Sequence, residues 1–190
     1  IVNSILKAAL SLHAGVASNF RKTAANFHYE FNIRHLSGVF SGLLQAQPAQ
    51  FADAERLVLL WLHESERIYG DRLVSPQDLQ KYRAVAADMC KKMFSKFNFT
   101  KYFQEKNPEP LVFSPYTNME DIGEGLVYDK FANQEALSKM HNRILTEYND
   151  CNAAMDLVLF NDAMQHVARI ARVMGVASGH ALLVGLGGSG

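Results

Sequence analysis

Residues 181–190 read ALLVGLGGSG, an apolar run that breaks into glycines, and the reading of this stretch decides the fold. An unbroken apolar run of this kind suits a parallel strand buried on both faces. A strand is therefore expected over His180 to Val184. Gly185-Leu186-Gly187-Gly188-Ser189-Gly190 then fills the opening positions of the phosphate-loop pattern G-x-x-x-x-G-K-[ST]. Such a loop needs glycines because backbone N–H groups must close around phosphate oxygens in conformations where a Cβ would clash. It also needs a Lys and the N-terminus of a following helix, and the sequence reaches neither. Half of a phosphate site is the reading, held on the first strand of an α/β domain.

The segments leading to this strand are helical by their periodicity. Gly175 stops a helix that carries Met155, Leu159, Ala163, Val167, Ile170 and Met174 at helical spacing, and Asn133 caps an earlier one with Leu137, Met140 and Tyr148. Between Lys106 and Pro110 two prolines end helix propagation, and Leu111-Val112-Phe113 reads as a short strand. A domain boundary is placed there.

Upstream of the boundary the pattern is that of a small helical bundle. A first helix over residues 1–15 ends at Gly15, and a second opens near Arg34 within HYEFNIRHLSGVFSGLLQ. A third is capped by Asp53 and shows Leu57, Leu60, Trp61, Glu64 and Ile68 on one face. Ser75-Pro76-Gln77-Asp78 starts a fourth, which runs along Tyr82, Ala86, Met89 and Met93 to Phe97. Amphipathic helices must bury their stripes against one another, so these pack together.

Composition narrows the function classes. Lys plus Arg and Asp plus Glu both number 19, so no long-range field favours nucleic acid or an anionic membrane, and neither is expected as a partner. No apolar run approaches the roughly 18 residues that span a bilayer. Cys90 and Cys151 have no partner spacing, which points to a reducing, cytoplasmic compartment without zinc or disulfides. His63-Glu64 lacks the second His of a metalloprotease helix, since Arg67 stands at that place. His63, Glu64, Arg67, Asp71 and Arg72 are read as a surface or interface charge cluster, and the helical methionines as packing residues.

Two stretches carry a family likeness. Tyr148 to Gly190, with its core NAAMDLVLFNDAMQHVARIARVMGVASGHALLVGLGGSG, resembles the start of the fourth AAA+ module of dynein heavy chains, the axonemal ones especially. HYEFNIRHLSGVFSGLL followed by LWLHESERIYGDRL resembles the lid subdomain of the third module. The resemblance implies a mainly α fragment: residues 1–28 from the third large subdomain, 29–106 the helical lid, 107–132 a strand and connector, and 133–190 the opening of the fourth module, cut inside Walker A.

It implies roles as well. Gly185, Gly187, Gly188, Ser189 and Gly190 would belong to the Walker A loop, and Val158, Leu159 and Phe160 to the segment lining the adenine pocket. Arg34 would be the sensor II arginine, a fixed cationic fork near the terminal phosphate. His35 stands where dyneins usually carry Asp, which alters the charge beside Arg34, and Asn161 stands where an acid is common. The implied cofactor is ATP or ADP with Mg in a complete ring. The implied parent is an ATP-driven, minus-end-directed microtubule motor of the ciliary or flagellar axoneme, working with its other AAA+ modules and with intermediate and light chains. Walker B acids, sensor I and an arginine finger are absent from the sequence, so the segment by itself is not expected to hydrolyse ATP. The alternative is a non-catalytic helical interaction or scaffold module with a flexible glycine-rich tail.

Overall fold

A computed structural model describes residues 1–103, 108–117, 126–177 and 179–185. The chain divides into two compact units, Ile1–Val112 and Phe113–Gly190.

The first unit is helical. α1 (Val2–Asn19), α2 (Ile33–Leu43), α3 (Ala54–Ile68), α4 (Pro76–Met93) and the single turn α5 (Thr100–Phe103) follow in order, with short 3-10 turns at Pro48–Gln50 and Gly70–Arg72. Local chemistry fixes the helix starts: Asp53 accepts from the Glu55 and Arg56 N–H groups, and the Ser75 hydroxyl accepts from Asp78 N–H ahead of Pro76 at the first helical position. Each such cap contributes on the order of 1 kcal/mol.

α1 packs on α4 and α2 on α3. Ala8 and Ala9 of α1 and Ala86 and Ala87 of α4 are all buried, and small residues of this kind let backbones approach. Gly15 belongs to this contact: it does not end α1, which continues to Asn19, and a Cβ on it would lie 3.3 Å from Val85 Cγ1. The glycine is needed for closeness rather than for a turn.

α3 departs most from its expected face. Val58 through Ser65 are all buried, and so is Arg67, which places α3 in the interior rather than at the edge of the bundle. Trp61 sits there fully buried with its ring centroid 5.8 Å from that of Phe94. Phe94 caps α4, so that helix stops four residues earlier than its apolar periodicity suggested and folds its last aromatics back toward the core.

In the second unit, β1 (Phe113–Ser114) pairs antiparallel with β2 (Asp129–Lys130), Phe113 opposite Lys130. The expected strand at 111–113 has moved two residues on, where Phe113 packs its ring against Tyr128. α6 (Gln134–Cys151) follows, capped by Asn133 through Ala136 N–H, and α7 (Asn161–Met174) packs against both α6 and β1. The buried residues include Phe113, Tyr116, Tyr128, Phe131, Leu137, His141, Met164 and Ala168.

Three expectations fail in this unit. Met155 and Leu159 precede α7 rather than belonging to it, because residues 152–160 are extended. Met155 and Met174 are exposed, so among the α7-region methionines only Met164 is a packing residue. Residues 180–184 form no strand: Leu182, Leu183 and Val184 are 88%, 75% and 86% exposed, with no neighbouring strand among the described residues to accept their backbone groups.

Candidate functional site

Each unit carries one group of residues singled out by the sequence. In the first, the reference point is the head of α2. The Asn32 side chain accepts from Arg34 N–H at 3.0 Å, while Asn32 N–H donates to Nδ1 of His35, also at 3.0 Å. Two of the orphan donors that every helix start exposes are thereby satisfied reciprocally, with an imidazole in the place usually taken by Glu or Gln. The arrangement leaves the Arg34 side chain exposed at the first turn.

Aromatic rings support this turn from below. The Phe31 ring lies 5.9 Å from His35, 6.0 Å from Tyr69 and 6.3 Å from Phe20. His13 Nδ1 is 3.0 Å from the Tyr69 hydroxyl, and that phenol is pushed up in pKa by burial. Tyr29 donates to Asp78 Oδ2 at 2.7 Å and accepts from Val74 N–H, tying the segment before α2 to the start of α4. Burial, with Arg72 and His13 nearby, lowers the pKa of His35. A neutral imidazole is what the cap requires, since Nδ1 must be bare to accept from Asn32.

The charges of α3 were misplaced by sequence reasoning. His63 and Glu64 are 2% and 0% exposed and Arg67 is buried, so these three members of the expected surface or interface cluster are interior, while Asp71 and Arg72 are exposed. His63 Nδ1 is 2.9 Å from the Leu111 carbonyl oxygen and therefore donates to it. Arg83 holds Glu66 with two nitrogens, at 2.8 and 3.4 Å, while Arg67 bridges Glu66 and Asp71 at 3.1 Å each. Glu66 was not singled out from the sequence, although its partner Arg83 lies on the next helix. Of these contacts, the Glu66–Arg83 pair fastens α3 to α4.

In the second unit the group is the extended run before α7. Val158 and Phe160 are 84% and 61% exposed, and Leu159 between them is half-buried, as the alternation of an extended chain dictates. Asn149 in α6 accepts from Met155 N–H at 2.9 Å and donates to the Met155 carbonyl at 3.1 Å. At the other end Gln134 donates to the Asn161 side chain at 2.7 Å. Phe160 is the N-cap residue of α7 and offers no side-chain cap, so the first N–H groups of that helix have no protein side chain closing them at the cap position.

Gly185 is exposed, and Gly187, Gly188, Ser189 and Gly190 lie outside the described residues. Among the described residues no group of three His, Cys, Asp or Glu side chains is placed to hold a metal. None of the helices is long and apolar enough to cross a membrane, again among the described residues.

A helical bundle with a capped, arginine-bearing second helix, followed by a unit whose sequence runs into glycines, defines a class: the AAA+ lid domain matches residues 5–103, more than half of the chain. The P-loop containing dynein motor region D4 matches residues 155–190. The chain is 51% identical over 189 residues to the dynein alpha chain of the flagellar outer arm of Chlamydomonas reinhardtii, covering 98% of this chain and 4% of that protein. It is 41% identical over 189 residues to dynein axonemal heavy chain 11 of Sus scrofa and 38% identical over 190 residues to dynein axonemal heavy chain 17 of Homo sapiens, again over 98% and 100% of this chain and 4% of each relative. The chain belongs to the AAA+ proteins of the dynein heavy-chain family. It spans about 4% of the length of these curated relatives.

Proposed function

We propose that this segment forms a joint between two AAA+ modules of a ring-shaped, ATP-driven microtubule motor of cilia or flagella. Residues of the first unit act as the lid of one module, and the second unit opens the nucleotide site of the next. The observation that carries this reading is the order of parts: a lid match over residues 5–103 and a P-loop match over 155–190 within one chain, in relatives that are axonemal or flagellar dyneins.

The roles follow the chemistry of the residues. Arg34 is the sensor II arginine, exposed on a capped helix start where a permanently charged guanidinium can meet a terminal phosphate. Val158, Leu159 and Phe160 form the adenine edge of the following site, and exposed apolar side chains beside a helix start suit a flat, weakly hydrated purine. Gly185, Gly187, Gly188, Ser189 and Gly190 belong to its Walker A loop. When bound there, ATP or ADP with Mg supplies the phosphates whose presence or absence the lid reads. The remaining modules of the ring, the microtubule, and the intermediate and light chains of the complex are the partners of the parent motor.

The test is Arg34→Ala in a dynein heavy chain carrying this segment. Release from microtubules on adding ATP is expected to slow, with the protein still folded and still assembled. Unchanged ATPase stimulation and release rates would remove the sensor assignment and favour a purely helical scaffold role for the first unit.

A further inference from the structure

Extended segments are held in register by neighbouring strands, yet residues 155–160 have none among the described residues, and two side-chain amides of α6 take that part. Asn149 bonds both backbone groups of Met155, as a strand partner would, at 2.9 and 3.1 Å. Gln134, at the opposite end of the same helix, bonds the side chain of Asn161 at 2.7 Å. The segment therefore runs back along α6 between two anchors.

The two spans are of similar length. Fifteen helical residues separate Gln134 from Asn149, about 22 Å at the helical rise. Six residues separate Met155 from Asn161, and a chain extended at about 3.3 Å per residue covers about 20 Å. A nearly straight chain fits this span, and the φ and ψ of Phe160, −92° and 164°, are extended.

We infer that Asn149 is a positioning residue for the purine edge of the nucleotide site, with Gln134 as its counterpart at the far anchor. The inference rests on the reading of Val158, Leu159 and Phe160 as the adenine wall. Neither amide touches the base itself. They keep the exposed Val158 and Phe160 side chains on one face of an extended chain, so that the apolar wall exists before the ligand arrives and its ordering cost is already met. The glycine run read as the phosphate loop, 185–190, is a separate stretch of the sequence.

That separation supplies the test. In a dynein heavy chain carrying this segment, hydrogen exchange of the peptide 155–163 is followed as ATP, or inorganic tripolyphosphate, is added to the wild type, Asn149→Ala and Gln134→Ala. Asn149→Ala removes two hydrogen bonds, and the ATP concentration for half-protection is expected to rise roughly tenfold. Tripolyphosphate, which has no base, is expected to protect equally in all three proteins. Gln134→Ala, whose lost bond lies at the surface and leaves the packing intact, is expected to shift ATP alone by a smaller factor. Equal weakening of both ligands, or no weakening of ATP, would overturn the positioning role. If the wild type already fails to distinguish ATP from tripolyphosphate, the adenine-wall reading itself falls.

Discussion

The hydroxyl of Tyr116 lies 3.0 Å from Nε2 of His141, and both side chains are buried in the second unit. The other ring nitrogen of His141 faces the Leu137 carbonyl at 2.8 Å and must donate to it, so Nε2 is bare and accepts from the tyrosine. The imidazole is thus fixed as one neutral tautomer. Burial lowers its pKa, and the same burial pushes the Tyr116 phenol up to about 12.

Because the folded protein disfavours the imidazolium while the unfolded chain does not, the unfolded state takes up the proton first on acidification. Stability contributed by neutral His141 is complete above the ordinary imidazole pKa of about 6.5 and declines as pH falls through it. Urea unfolding followed between neutral and mildly acidic pH is expected to show this loss in the wild type and a smaller one in His141→Phe. Tyr116→Phe leaves Nε2 buried without its donor and is expected to cost about 1–2 kcal/mol at neutral pH. Identical unfolding midpoints for Tyr116→Phe and wild type would show that the bond contributes nothing.

The clamp between α3 and α4 gives a larger effect. Glu66→Gln removes the negative charge shared by Arg83 and the buried Arg67, leaving Arg67 with Asp71 alone. Breaking one partner out of a largely buried ionic group costs about 3 kcal/mol. A loss no greater than the ~0.5 kcal/mol of an exposed ion pair would mean that water already screens this network.

Gly70 has a packing role next to the same group. A Cβ there would lie 2.8 Å from Glu66 Cγ and 3.3 Å from Leu79 Cδ1. Glu66 cannot swing aside without giving up Arg83, so Gly70→Ala is expected to destabilise by about 1–3 kcal/mol, the usual cost of overpacking. Combining it with Glu66→Gln should cost less than the sum of the two single changes, since both disturb one carboxylate. Strict additivity in a double-mutant cycle would contradict the coupling.

At the head of α2 the His35 cap makes a pH prediction of its own. The folded pKa of His35 is lowered, by burial first and then by Arg72 and His13, so its stability contribution is complete above about 6.5 and declines below it, and the cap itself is lost as pH falls through the lowered folded value. Amide exchange of residues 33–36, corrected for intrinsic rates, is expected to accelerate on mild acidification. His35→Asp restores an acceptor that stays ionised to about pH 4, and its first turn should hold through the same range. Equal acid sensitivity in both proteins would disconnect the imidazole from the cap.

How much of this was readable in advance follows from which interactions are local. Asp53, Ser75 and Asn133 act on residues two or three positions away, and a cap of that reach is visible in a short window of sequence. The burial of His63, Glu64 and Arg67 is not, because it depends on helices on both sides of α3, and the Glu66–Arg83 pair spans 17 positions. Gly15 looked like a stop signal since glycine is so often one, whereas here it answers a neighbour 70 residues away. The apolar run at 180–184 matches a strand in composition, but pairing requires other strands, and none lies beside it among the described residues. At the candidate site Val158, Leu159 and Phe160 were legible as a class of residue; the anchors Asn149 and Gln134 were not, because amide side chains that bond a backbone carry no periodic signal.

Tethering an extended run at both ends of one helix also constrains how this region can change over time. Composition between Met155 and Asn161 is free to drift among apolar residues, but length is not. A single inserted residue would slacken the span and, by the two-residue alternation, turn Val158 and Phe160 inward while bringing Leu159 out. Point substitutions should therefore accumulate here far more readily than insertions or deletions, and an indel in this short interval would be felt as a change of face rather than a change of loop.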